Sequence, residues 1–185
     1  MLYQSFSGDA EVGTSVFEMN GGSLTTSIGP LFYITNTDSE IKLNGAELNA
    51  TSGILLSASA DRWGDTGSNG GIVTLTAEDE LLNGDVTCDN ISSVTVILQN
   101  GTSLTGVINE ENAGGSVALT LDSTSTWNVT GTSYLKSLID EDTTLSNIKD
   151  NGYTIYYDSN ENTNNWLGGE TYTLTDGGKL IPLTA

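Results

Sequence analysis

The segment SADRWGDTGSNGG, residues 59–71, concentrates the side chains of this sequence best suited to chemistry. Asp61 and Asp65 are two carboxylates that could act as acid and base, or as acid and nucleophile. Trp63 offers a flat face on which a sugar ring could stack. Arg62, the only arginine in the chain, lies between them in sequence. This is the inventory of a carbohydrate site. The competing reading of the same residues is an ion-paired loop with Trp63 packed on the wall of the fold.

Other reactive groups are scarce. The chain has no histidine, which removes Ser-His-Asp and Cys-His catalysis and histidine-ligated zinc. Cys88 is the only cysteine and forms no internal disulfide. It sits in an alternating stretch, GDVTCDN, so a small buried apolar role is expected. Asp158, Asn160 and Asn162 have the alternate spacing of a calcium loop. The sixth position of that loop would be Thr163 rather than Gly, and the twelfth Gly169 rather than Glu, so a solvated loop is expected. The clusters IDEDTT and AEDELL read as exposed turns. Thr-x-Thr pairs, among them those beginning at Thr35, Thr74, Thr124 and Thr173, share no phase, which argues against an ice-binding ladder.

Aspartate and glutamate total 24 against 5 lysines and arginines, a formal charge of −19. Such a surface repels nucleic-acid phosphates and anionic lipid. No apolar run reaches the ~18 residues of a membrane span. The opening MLYQSFSGDAEVG lacks a basic region followed by an apolar one, so no signal peptide is expected.

The elements that must position these residues are short, β-branched runs bounded by Gly or Asn. They fall into three series. Phe17, Ile41, Ile72, Val94 and Val117 form one; Leu24, Leu48, Leu81, Leu104 and Trp127 the second; Phe32, Leu55, Val86 and Val107 the third. Each recurs about every 22–24 residues, and each contains one longer step at the same place. That place is the Asp61 segment, which is therefore a loop insertion at 61–71. Three strands per repeat is the arithmetic of a coil in which equivalent residues stack. Ile41, Leu43, Ile72, Val94, Val117 and Leu119 are expected to point inward, with the leucine series forming an internal ladder. YLKSLIDEDTTLSNI is read as a degenerate last coil, with Leu145 as the next ladder member, in preference to a helix. The fold class is thus all-β: a right-handed single-stranded parallel β-helix, or β-solenoid. Residues 1–185 form one domain, with coils over 1–152 and a C-terminal cap over 153–185.

The stretch GPLFYITNTDSEIKLNGAELNATSGILLSASADRWG, with LNGDVTCDNISSVTVILQNGTSLTGVI and SVALTLDSTSTWNVTG, resembles bacterial right-handed parallel β-helix surface proteins, adhesin-like and built on pectate-lyase-type coils. The resemblance implies an exported part of a longer extracellular protein, with N-terminal coils missing here. It carries no activity over. Pectin methylesterases of this fold place two aspartates, an arginine and a tryptophan on successive coils, whereas here they fall within five residues. Polygalacturonases need a Gly-His-Gly motif. Pectate lyases need a basic residue near calcium-bound acids, and Lys42, Lys136, Lys149 and Lys179 are scattered. The expected function is a non-catalytic extracellular module, an adhesin, stalk or matrix component, without cofactor or metal. Its expected partners are glycans or surface proteins, not nucleic acid or a membrane interior. The alternative is a carbohydrate-active or carbohydrate-binding domain using Asp61, Arg62, Trp63 and Asp65. Carboxylates of neighbouring coils facing that loop, such as Glu40 or Glu78, would favour the alternative.

Overall fold

The computed structural model describes residues 2–4 and 14–183. Its strands stack as a parallel β-solenoid of about seven turns. Each coil visits three faces. The first is a six-stranded sheet of β2 (Ser15–Asn20), β5 (Thr37–Asn44), β8 (Gly71–Glu78), β11 (Ser93–Gln99), β13 (Ser116–Leu121) and β16 (Ser137–Asp140). The second carries β3 (Ser23–Thr26) paired with β6 (Glu47–Ala50), then β9 (Leu81–Asn83), β12 (Ser103–Gly106), β14 (Thr126–Val129) and β17 (Ile148–Lys149). The third carries β1 (Leu2–Gln4), β4 (Phe32–Thr35), β7 (Ile54–Ala58) and β10 (Asp85–Cys88). It continues through a bridge from Val86 to Ile108 into β15 (Ser133–Leu135), β18 (Thr154–Asp158) and β20 (Lys179–Leu183). β19 (Tyr172–Thr173) closes that sheet antiparallel to β20. Residues 134–148 hold the end of β15, all of β16 and the start of β17, with a turn over 141–147 and no helix, as expected of a coil.

Alternation decides what is inside. In β11 the burial pattern alternates without a break, with Val94, Val96 and Leu98 inward. Parallel pairing places each inward side chain over its counterpart one coil away. One ladder runs Phe17, Ile41, Leu75, Val96, Leu119, Leu138. On the second face Leu82, Leu104, Trp127 and Ile148 stack. Trp127 is fully buried, and its indole N–H donates to Gly106 O at 3.0 Å, so the large ring leaves no orphaned donor.

The pairings correct several register expectations. Val73, not Ile72, lies over Val94, and Ile41 lies over Leu75. Ile72 is 52% exposed and Val73 1%. Leu82, not Leu81, lies over Leu104; Leu81 is 72% exposed and Leu82 1%. Both errors occur where two apolar residues adjoin, so composition cannot choose between them. A one-residue slip reverses every side chain of a strand. Gly71 helps set the phase, because a β-carbon there would collide with Ile34 O. Phe32 pairs with Leu56, not Leu55, and Val86 bridges Ile108, not Val107, although Leu55 and Val107 are also buried. The ladder after Trp127 continues in Ile148. Leu145 is buried but lies in the preceding turn at φ 59°, a left-handed conformation that is rare for leucine.

The two acidic clusters are not wholly exposed. Glu80 is buried: one carboxylate oxygen accepts from Ala46 N at 2.7 Å and the other has no partner. Burial raises its pKa. Asp140 follows Leu98 and Leu121 in an otherwise apolar ladder. Its Oδ1 accepts from Asp142 N at 2.9 Å and from Asn147 Nδ2 at 3.0 Å, while Oδ2 is buried without a partner. Burial pushes its pKa up to about 6. Asp142, outside the same turn, accepts from the backbone and hydroxyls of Ser146 and Thr144, which hold it down at about 2.

At the C-terminal end, a 3-10 segment, Asn162–Leu167, covers the edge of the first face. Asn164 accepts from Leu138 N at 2.8 Å and donates to Lys136 O at 2.8 Å. Trp166 donates its indole N–H to Leu138 O at 3.0 Å. Two side chains therefore replace a neighbouring strand for β16. Asp150 ties down the last turn: it accepts from the N–H groups of Gly152, Gly178 and Asp176. Burial opposes its charge, but these donors hold its pKa below the ordinary value.

Leu82→Ala should cost about 2–5 kcal/mol of stability, and Leu81→Ala less than about half a kcal/mol. Urea unfolding of the two variants checks the register, and the opposite order would return Leu81 to the core. Asp140 makes a second test. A carboxyl with a raised folded pKa stabilises the fold fully below its unfolded pKa of 3.8, and this contribution is lost as pH rises through about 6. The melting temperature of the parent chain minus that of Asp140→Asn should fall between those pH values and level off above them. A difference independent of pH would show that Asp140 does not titrate in the folded chain.

Candidate functional site

The Asp61 loop leaves the third face after β7 and returns at β8. The coil before it crosses the same corner with Asn36 alone, between β4 and β5. The extra length is the longer step seen in all three series. The loop holds itself together largely with its own backbone. Asn69, buried beneath it, donates to the carbonyls of Asp61 and Trp63, and its own carbonyl accepts from Asn36 N at 3.1 Å. Ala60 N donates to Asp89 Oδ2 at 2.7 Å, fixing the loop's start to the next coil. Gly70 and Gly71 are required for close approach, since a β-carbon would meet Ile91 O or Ile34 O.

The four candidate residues stay close in the chain but do different things. Asp61 accepts from Arg62 N at 2.7 Å through Oδ1 and from the Tyr33 hydroxyl at 3.4 Å through Oδ2. Tyr33 in turn accepts from Ser59 Oγ at 3.2 Å. The Arg62 guanidinium lies over the Trp63 ring, 4.9 Å from its centroid. Among the described residues the ion pairs are Lys42–Glu40 and Lys136–Asp158, so the expected ion-paired loop is instead a cation–π loop. Asp65 is exposed; its carbonyl accepts from Ser68 N and Oγ.

Glu40 and Glu78 do not complete a site with this loop. Glu40 pairs with Lys42 at 2.9 Å, and Glu78 accepts from Gln99 and Asn100. A groove beside the loop's start holds about 370 Å³, and its lining includes Ser59, Asp85, Thr87, Cys88, Asp89 and Glu110. Asp85 is engaged by Val107 N at 2.9 Å, and Asp89 by Ala60 and Ile91 N–H groups. Cys88 is buried as expected, and burial pushes its thiol up to about 11, far from a nucleophilic thiolate.

Asp158 and Asn160 form an Asx turn, with Asn160 N 2.9 Å from Asp158 Oδ1, and Asp158 also pairs with Lys136 at 3.5 Å. Asn162 begins the 3-10 segment that covers β16. No group of three or more His, Cys, Asp or Glu among the described residues is placed to hold a metal. No described helix is long and apolar enough to cross a membrane.

The sequence reading passed over Tyr134 and Tyr156. They are paired on adjacent coils, and their rings stack 4.9 Å apart at 12°. Their separation by one coil length was the available signal. Tyr134 lines a second groove, of about 390 Å³, with Asn109, Asn112, Gly114, Lys136 and Asp158.

Comparisons with family models, with curated proteins and with solved structures gave no match.

Because the preceding coil turns this corner with one residue, joining Ala60 directly to Gly71 should leave a β protein that melts cooperatively. Circular dichroism and thermal melting check this. Loss of the cooperative β signal would make the loop part of the folding unit.

Proposed function

We propose that this chain is a non-catalytic module of an extracellular bacterial surface protein, serving as stalk, adhesin or matrix component. The observation that carries the reading is the uninterrupted stack of inward ladders, from Phe17 to Leu138 on one face alone. With about 4.8 Å per coil, such a stack makes a rod on the order of 30 Å long. Its regularity suits spacing and display. The loop with the best chemical inventory spends its groups locally: Asp61 on Arg62 N and Tyr33, Arg62 on Trp63, and Asn69 on two loop carbonyls. The charge of −19 and the Thr- and Asn-rich outer positions suit a hydrated surface that resists non-specific association.

Two measurements test the proposal. Antibody raised against the folded module should label intact cells of the source organism, and external protease should remove that label. Glycans retained on an array should be recovered unchanged after prolonged incubation with the module. Labelling only after permeabilisation, or hydrolysis or elimination products from any retained glycan, would overturn the reading.

A further inference from the structure

The groove on the far side of the 109–115 turn has a chemistry distinct from the Asp61 loop. Asn109 builds its wall: it sits at φ 54°, donates to Tyr134 O at 3.2 Å, and accepts from the N–H groups of Ala113 and Gly114. This folds the 109–115 segment outward and leaves space beside the Tyr134 ring. Glycine suits position 114, because a β-carbon there would collide with the buried Val117 side chain. Tyr156 stacks on Tyr134 at 4.9 Å and holds its plane fixed. Asn112, at φ 51°, is exposed at the rim. Lys136 and Asp158 pair at 3.5 Å with side chains 45% and 30% exposed, so both retain hydrogen-bonding capacity toward the groove.

We propose that this groove is a glycan-binding site in which a neutral pyranose of a surface polysaccharide packs against Tyr134 and is hydrogen-bonded by Asn112, Lys136 and Asp158. A fixed aromatic ring supplies contact area at little entropic cost. An amide and an ion pair together offer donors and acceptors to vicinal hydroxyls. The volume, about 390 Å³, is within the range of small-ligand sites. Neutral sugars are specified because the lysine is matched by an aspartate while the whole chain carries −19, which repels uronates. The proposal rests on the reading of the chain as an adhesive surface module and names its ligand class.

The test is a ¹⁵N-HSQC titration of the full chain with cellohexaose, xylohexaose and mannohexaose, with trigalacturonate as the acidic probe. At least one neutral hexaose should shift the amides of Asn112, Tyr134, Lys136 and Asp158. Tyr134→Ala should weaken that binding by about tenfold or more, Tyr134→Phe should retain it, and Trp63→Ala should leave it unchanged. Parent-like amide dispersion in each variant separates lost binding from lost folding; Lys136→Gln, altering an exposed residue, supplies a second site variant expected to weaken binding. Shifts confined to residues 61–65 would overturn this site while leaving a glycan-binding module. Binding of trigalacturonate alone, or no shift with any probe, would overturn the proposal, and surface labelling of intact cells would then decide the broader reading separately.

Discussion

Every inward side chain in this protein must fit the one directly above and below it at the spacing of paired strands. That single constraint organises the rest. On the first face parallel pairing runs in unbroken register from coil to coil, so a ladder such as Phe17–Ile41–Leu75–Val96–Leu119–Leu138 has to be compatible at each step. Size can vary: Ala77 lies between Leu43 and Leu98, and Trp127 between Leu104 and Ile148. Polarity varies less freely. Where Asp140 takes the ladder position of Leu121, it needs two donors on one oxygen and still has a raised pKa.

A stack also has ends, and an edge strand invites another chain. The C-terminal edge is answered in two ways. On the third face a short antiparallel strand pairs with β20. On the first face side chains act as backbone: the Asn164 amide and the Trp166 indole satisfy Leu138 of β16 and Lys136 just before it. An asparagine amide has the same donor and acceptor as a peptide group, which lets it substitute for a strand at little structural cost. The polar residues 158–165, which resemble a calcium loop in composition, are recruited in part to this covering task.

Function on a solenoid belongs to what projects from it. The Asp61 loop projects, but its polar groups are taken up within the loop or by the adjoining coils, through Asn69, the Arg62–Trp63 contact and the Tyr33–Asp61 bond. The 109–115 turn projects and opens a space beside an aromatic pair. The difference lies in what is left accessible after the local bonds are made, which is a property of geometry and not of residue inventory.

The sequence by itself determined the coil. Period, strand count per repeat and the position of the insertion follow from hydrophobic spacing, because stacking imposes the same pattern on every turn. It also determined the buried state of Cys88 and the continuation of the coil, rather than a helix, through 134–148. Phase at apolar doublets was decided only in three dimensions: Ile72–Val73 and Leu81–Leu82 are equivalent as composition, and pairing with Val94 and Leu104 selects one of each. The fate of polar residues was likewise tertiary. Glu80, Asp140 and Asn164 look exposed in a linear reading, yet each is buried because a backbone donor lies within reach from a distant segment or the adjoining turn: Ala46 N, Asp142 N and Leu138 N respectively. The groove at Tyr134 required both levels. Its two tyrosines carry the coil spacing in the sequence, but the space beside them is lined by a turn that Asn109 holds through bonds to Tyr134, Ala113 and Gly114.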